Sequence, residues 1–237
     1  MTPMLRQNLT LCVLVLIGIN MRPLLTSIGP LLPDIRAASG MSYTLVALLT
    51  ALPVIAMGVL ALAGGWVDRT VGQNRSIALS LLIIAAGALL RESAPHSGLL
   101  LSSALAGGIG IGIIQAAIPA VIKRLFARRT PLVMGLWSAA LMGGGGLGAA
   151  FTPWLASRST VWHQALAWWA LPALLALLGW LAICRQLPRA PHQTSASPRV
   201  AIIGQRRAWT LGLYFGLINA GYASLIAWLP PYYIQLG

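Results

Sequence analysis

An all-α, polytopic membrane protein is the fold class this sequence predicts, on three observations. Of 237 residues only 8% are charged, 16 Lys+Arg and 3 Asp+Glu, against about 25% in soluble domains. Hydrophobic residues make up 58% of the chain, and mean hydropathy is +0.81. The apolar residues gather into seven runs, near 9–32, 44–66, 76–90, 98–122, 132–155, 162–183 and 208–229. All but the third are long enough to cross a bilayer core of ~30 Å. None alternates with period 2, which argues against a transmembrane barrel, and lipid forces each to be helical. So little charge cannot cover a soluble domain, so a soluble enzyme, a disordered chain and a nucleic-acid binder are excluded. The net charge of +13 reflects a lack of acids rather than a surplus of bases. The partner it implies is the lipid bilayer, with no nucleic acid.

The first run is longer than a signal-peptide core, carries Asn20 and Arg22, and has no small-residue cleavage site after it. Arg22 lies about 13 residues into the run, ~19 Å along a helix. A charge at that depth costs about 2.5–3.5 kcal/mol, so Arg22 is expected to have a role. Pro23 removes a backbone donor and crowds the preceding turn, which predicts a break there. Broken helices at mid-depth are a form that transporter binding sites take. On an ideal helix Asn20 points away from Arg22, and only the Pro23 distortion can bring the two together. Asp34, Asp68 and Glu92 all fall at span ends. The counterpart of Arg22 is therefore expected to be an anionic substrate or a segment outside this chain.

The third run holds 15 uncharged residues between Arg75 and Arg91. It is expected to span with its flanking arginines snorkelling to the interface. The fourth carries Ala104, Gly108, Gly112 and Ala116 at four-residue steps, and the fifth carries Ala140, Gly144 and Gly148 within reach of Gly143–Gly146. Such stripes let helix backbones approach closely; a smooth surface for helix sliding is compatible with the same pattern. Gln115 on the fourth run and Asn219 and Tyr222 on the seventh are further mid-depth polar candidates. Asn219 and Tyr222 share a helix face. Each could equally make an interhelical hydrogen bond, worth about 0.6 kcal/mol. Trp168, Trp169, Trp228, Tyr232 and Tyr233 read as interfacial anchors or packing.

Basic residues set the orientation. Alternate segments on one side hold twelve: Arg6, Arg69, Arg75, Lys123, Arg124, Arg128, Arg129, Arg185, Arg189, Arg199, Arg206 and Arg207. The other side holds three, Arg36, Arg91 and Arg158. The imbalance predicts a cytoplasmic N-terminus. The polar stretch from Arg185, RQLPRAPHQTSASPR, reads as a cytoplasmic linker. The expected division is a six-helix bundle over 1–184, a linker over 185–207 and a seventh transmembrane helix over 208–237. Cys12 and Cys184 read as buried free thiols, and His96, His163 and His192 are scattered. No metal site, cofactor or catalytic cluster is expected.

Between the second and third runs the chain reads Gly64-Gly65-Trp66-Val67-Asp68-Arg69-Thr70-Val71-Gly72-Gln73-Asn74-Arg75. This resembles the cytoplasmic loop motif of the major facilitator superfamily, G-x-x-x-D-R-x-G-x-[RK]-[RK]. Gly64, Asp68 and Arg69 fit; Gly72 arrives one residue late, and Arg75 alone supplies the closing base. The resemblance implies that Asp68 and Arg69, with Arg75, latch the cytoplasmic side shut. NMRPLLTS (20–27), ALLTALPV (47–54), RTPLVMGLWSAALMGGGGLGAAFTPWL (129–155), LAWWALPA (166–173) and AWTLGLYFGLINAGYASLIAWLP (208–230) are similar to the CynX/NimT branch of that superfamily. The resemblance implies secondary transport of a small anion, cyanate, by alternating access, with Arg22, Asn20, Gln115, Asn219 and Tyr222 as the candidate substrate site. Export of nitroimidazole-like compounds is the alternative within the branch. Members have twelve spans, so the chain is expected to be truncated after the seventh helix and to lack a C-terminal bundle as partner. A non-transporting fragment is the rival this raises. A retinal protein is excluded because the one lysine, Lys123, lies in a loop. The chain has no nucleotide-binding motif for ATP coupling, and no carboxylate inside a span for a proton relay.

Overall fold

The computed structural model describes residues 3–93, 97–159, 161–187 and 205–236, and among them every regular element is a helix. The chain divides into two compact units, Met1–Leu187 and Pro188–Gly237. The first unit holds six helical segments long and apolar enough to cross a membrane.

Local sequence explains where these spans begin, bend and stop. The first is built from α1 (Pro3–Asn20), α2 (Pro23–Thr26), one 3-10 turn (Gly29–Leu31) and α3 (Leu32–Ser39). It runs on past the expected end at 32, and Gly40 closes it in the left-handed region at φ +63°. Ser42 then caps α4 (Tyr43–Val71), its hydroxyl accepting from the Leu45 N–H at 3.3 Å. The expected loop after the second run is in fact helical as far as Val71. The chain reverses at Gly72 (φ +87°) and enters α5 (Gln73–Leu90) at once. A positive φ at that turn requires glycine, so the displaced motif glycine is the residue that makes the turn.

The fourth and fifth spans are α6 (Ser97–Leu125) and α7 (Thr130–Arg158). The sixth is broken into α8 (Trp162–Ala167) and α9 (Ala170–Cys184). Pro172 has no N–H for the Trp168 carbonyl, which accepts from Leu171 N at 3.1 Å instead. In the second unit, α10 (Arg206–Leu236) is one 31-residue helix, long enough at 1.5 Å per residue to cross a bilayer core. The linker expected over 185–207 lies largely outside the described residues.

Within the first unit α4 and α5 pack along α6, α5 also along α9, and α1 and α2 along α7. One core cluster, with Leu14, Ile17, Leu24, Leu81, Ile114 and Trp180, fills the half nearer the basic loops. A second, with Ile28, Ile35, Val46, Leu49, Leu100 and Leu166, fills the opposite end. Leu79, Leu82 and Leu178 point outward and are exposed, as lipid-facing side chains should be. Cys12 is also exposed and Cys184 only half-buried, so the expectation of two buried thiols is corrected. Apolar tails solvate an outward thiol as well as a leucine.

Candidate functional site

Arg22 occupies the centre of the 36-residue first span, Met4–Ser39. The helix breaks there for a local reason. Pro23 cannot donate to the Ile19 carbonyl, so the α-helical ladder is interrupted. Met21 N falls back to the Gly18 carbonyl at 3.1 Å, and Arg22 becomes the residue that starts α2. Its carbonyl accepts from Leu25 N (2.9 Å), Thr26 N (3.0 Å) and the Thr26 hydroxyl (3.2 Å). These bonds fix the backbone of Arg22, whose side chain is half-buried at mid-depth.

The break is supported from the fifth span. A methyl group at Gly144 would overlap the Ile19 carbonyl, and one at Gly148 would overlap Pro23 and the Thr26 hydroxyl. Gly144 and Gly148 therefore admit the displaced backbone of the first span. Gly143 and Gly146, beside them in sequence, have nothing within 4 Å of such a methyl. The fourth-span stripe does the same against α4: Gly108 lies against the backbone of Pro53, and Gly112 against Met57 and Leu60.

Asn20 is 4% exposed. Its amide donates to the Leu16 carbonyl at 2.8 Å and to the Pro172 carbonyl at 3.0 Å. It thereby ties the break in the first span to the break in the sixth. Gln115 is half-buried on α6. Leu24 fills the space beside Gly107, and the first and fourth spans run antiparallel. Counting 1.5 Å per residue from that contact, Gln115 lies ~9 Å closer to the basic end than Arg22. Asn219 and Tyr222 are half-buried side chains of α10 in the second unit. Trp169, read as an anchor or packing, is half-buried and donates to the Thr152 hydroxyl at 3.0 Å, while Trp168 is exposed.

At the basic end, Gly64, Asp68 and Arg69 lie within α4. Asp68 accepts from the Ser76 hydroxyl at 2.7 Å, so its carboxylate sits at the N-terminal turn of α5, where negative charge is favoured. Gln73 donates to the Ala117 carbonyl (3.4 Å), Asn74 to the Cys184 carbonyl (3.2 Å), and the Trp180 indole to the Asn74 carbonyl (2.9 Å). The tight turn is thus bonded to both α6 and α9. Arg75 is exposed.

Sequence reading misses one residue of consequence. Arg91 does not snorkel: it is 1% exposed, and its Nε donates to the Ser103 hydroxyl at 3.2 Å. It keeps its charge there, because a guanidinium is not deprotonated in proteins. No sequence signal marks its burial, because a short apolar run flanked by a base is equally compatible with a side chain that turns out to the interface.

The family model described as Major Facilitator Superfamily matches residues 11–237. The cyanate transport protein CynX of Escherichia coli (strain K12) is 66% identical over 227 residues, which cover 96% of this chain and 59% of that protein. A 2-nitroimidazole transporter of the same organism is 31% identical over 94% of this chain and 57% of its own length. In fold, the chain resembles the inward-open xylose transporter XylE from E. coli, with a TM-score of 0.66 at 16% identity, over 96% of this chain and 56% of that one. The chain spans a little over half the length of each of these relatives.

Proposed function

The chain belongs to the Major Facilitator Superfamily, and from that premise we propose that it serves secondary transport of a small anion, cyanate, by alternating access. The observation that carries this reading is Arg22: a half-buried cation at the centre of the first span, at a helix break. A transported anion must leave water, and a preorganised guanidinium at mid-depth offsets that loss with charge-assisted hydrogen bonds. Such bonds are worth about 1.5–3 kcal/mol each. The similarity to a cyanate transport protein supports cyanate as the anion.

Cyanate has three heavy atoms. At a ceiling of about 1.5 kcal/mol per atom, its binding free energy cannot exceed about 4.5 kcal/mol. That corresponds to a dissociation constant near 1 mM, and much of it must come from one charge contact. Gln115 contributes polarity on the path towards the basic end, and Asn219 and Tyr222 are the candidate substrate contacts of the seventh helix. Asn20 serves by holding the break open. Asp68 and Arg69, with Arg75, latch the cytoplasmic side, and the N-terminus lies in the cytoplasm of a bacterial inner membrane. The six-helix bundle over 1–184, the linker over 185–207 and the seventh transmembrane helix over 208–237 are the division this reading assigns. No bond is made or broken in the substrate.

The test is uptake of millimolar labelled cyanate by vesicles carrying the chain, beside protein-free vesicles. Saturable uptake is the expected result. Folded protein without uptake would overturn the transport reading. Uptake of 2-nitroimidazole but not of cyanate would overturn the substrate.

A further inference from the structure

Transport by way of Arg22 leaves a second arginine without a use. Arg91 stands one residue past α5, buried between the third and fourth spans at the end opposite the basic loops. Its Nε has an acceptor in Ser103, whose hydroxyl donates onward to the Leu100 carbonyl at 2.8 Å. Its Nη1 and Nη2 are buried with no acceptor among the described residues. The hydroxyl of Ser27, 0% exposed, is likewise buried without a described partner.

Ser27 and Ser103 lie at the same depth. From the contact of Leu24 with Gly107, Ser27 is three residues further out along the first span, and Ser103 is four further out along the antiparallel fourth. Those are ~4.5 Å and ~6 Å. The first and fourth spans therefore place two buried hydroxyls at one level of the outer half, and Arg91 at the end of the third span is bonded to one of them.

A buried guanidinium without a counter-charge carries a large desolvation cost. The C-terminal end of α5 supplies about half a negative charge, which offsets only part of that. The chain's three acids do not supply the rest. Asp34 and Glu92 are exposed, and Asp68 lies at the opposite end. Arg91 is 1% exposed and Ser27 and Ser103 are 0% exposed, so whatever balances the charge must be small.

We propose that Arg91, Ser103 and Ser27 form an anion site separate from Arg22, which holds one small monovalent inorganic anion of halide or pseudohalide size inside the outer half of the bundle. The anion acts as a structural counter-ion. It binds the outer end of the third span to the first and fourth and has no part in the transport pathway.

The experiment compares thermal unfolding of the purified full chain in sodium chloride and in sodium gluconate at equal ionic strength. Screening is then the same, and gluconate is too large for the site. At tenfold the half-saturating concentration, chloride should raise the midpoint by about 3–6 °C. The shift should persist in Arg22→Gln, vanish in Arg91→Gln, and need several-fold more chloride in Ser27→Ala. Equal midpoints in the two salts, or a shift that survives Arg91→Gln, would overturn the proposal. Should Arg91→Gln fail to fold, Ser27→Ala decides: an unchanged half-saturating concentration overturns it. Cyanate uptake is scored separately, so failure here and failure of the transport reading are distinct results.

Discussion

Arg22 and Arg91 belong to the same bundle, yet their surroundings are built on different principles. Arg22 stands at a helix break, half-buried, its backbone fixed by three hydrogen bonds from α2 and its site held open by glycines of the fifth span. Arg91 follows an unbroken helix and is 1% exposed, with one bond, to Ser103, among the described residues. The difference shows that depth in the sequence does not measure depth in the protein. The residue at the centre of a span keeps access, and the residue at the edge of one loses it.

Substitutions around the two arginines can break this contrast, and they differ in size. The largest effect expected is from Gly144→Ala. The added methyl overlaps the Ile19 carbonyl, and overpacking of this kind costs about 1–3 kcal/mol. Uptake per folded molecule should fall as well, because the break beside Arg22 is displaced. Measured stability and uptake equal to those of the unsubstituted protein would show that Gly144 does not support the break. Next is Ser103→Ala, which removes the acceptor of a buried cation and should cost about 2 kcal/mol. Here uptake per folded molecule should not change; a drop would place Arg91 in the pathway and erase the contrast.

Asn20→Ala removes the bonds to Leu16 and Pro172 and should cost about 1 kcal/mol in thermal or denaturant unfolding. The smallest effect is from Gly143→Ala, where nothing stands within 4 Å. It should be neutral or stabilising by about 0.5 kcal/mol, since alanine suits a helix better than glycine. The opposite signs at two adjacent glycines test whether the stripe packs against the break or merely smooths the helix.

The break at Pro23 is legible in the sequence, because a missing N–H acts locally and needs no partner to take effect. So are the close-packing stripes, since glycines at four-residue steps share one face whatever they meet. What they meet is not legible: that Gly144 faces Ile19 and Gly108 faces Pro53 is a tertiary fact. The burial of Arg91 is hidden because a charged residue at the end of an apolar run has the same pattern whether it turns out to the interface or in to Ser103. The α4 helix outruns its apolar run because hydropathy marks the membrane boundary, whereas Gly72 sets where the backbone can turn. The bond from Ser76 to Asp68 follows from that turn and not from the motif.

The central claim is that Arg22 recognises the substrate anion by charge. It is tested most directly by cyanate uptake into vesicles carrying the unsubstituted chain, Arg22→Lys or Arg22→Gln, with folding checked in each. Loss of a charge-assisted bond worth about 1.5–3 kcal/mol predicts a roughly 10- to 100-fold fall in uptake efficiency for Arg22→Gln. Arg22→Lys should retain part of the activity. Uptake by folded Arg22→Gln equal to that of the unsubstituted chain would contradict the account.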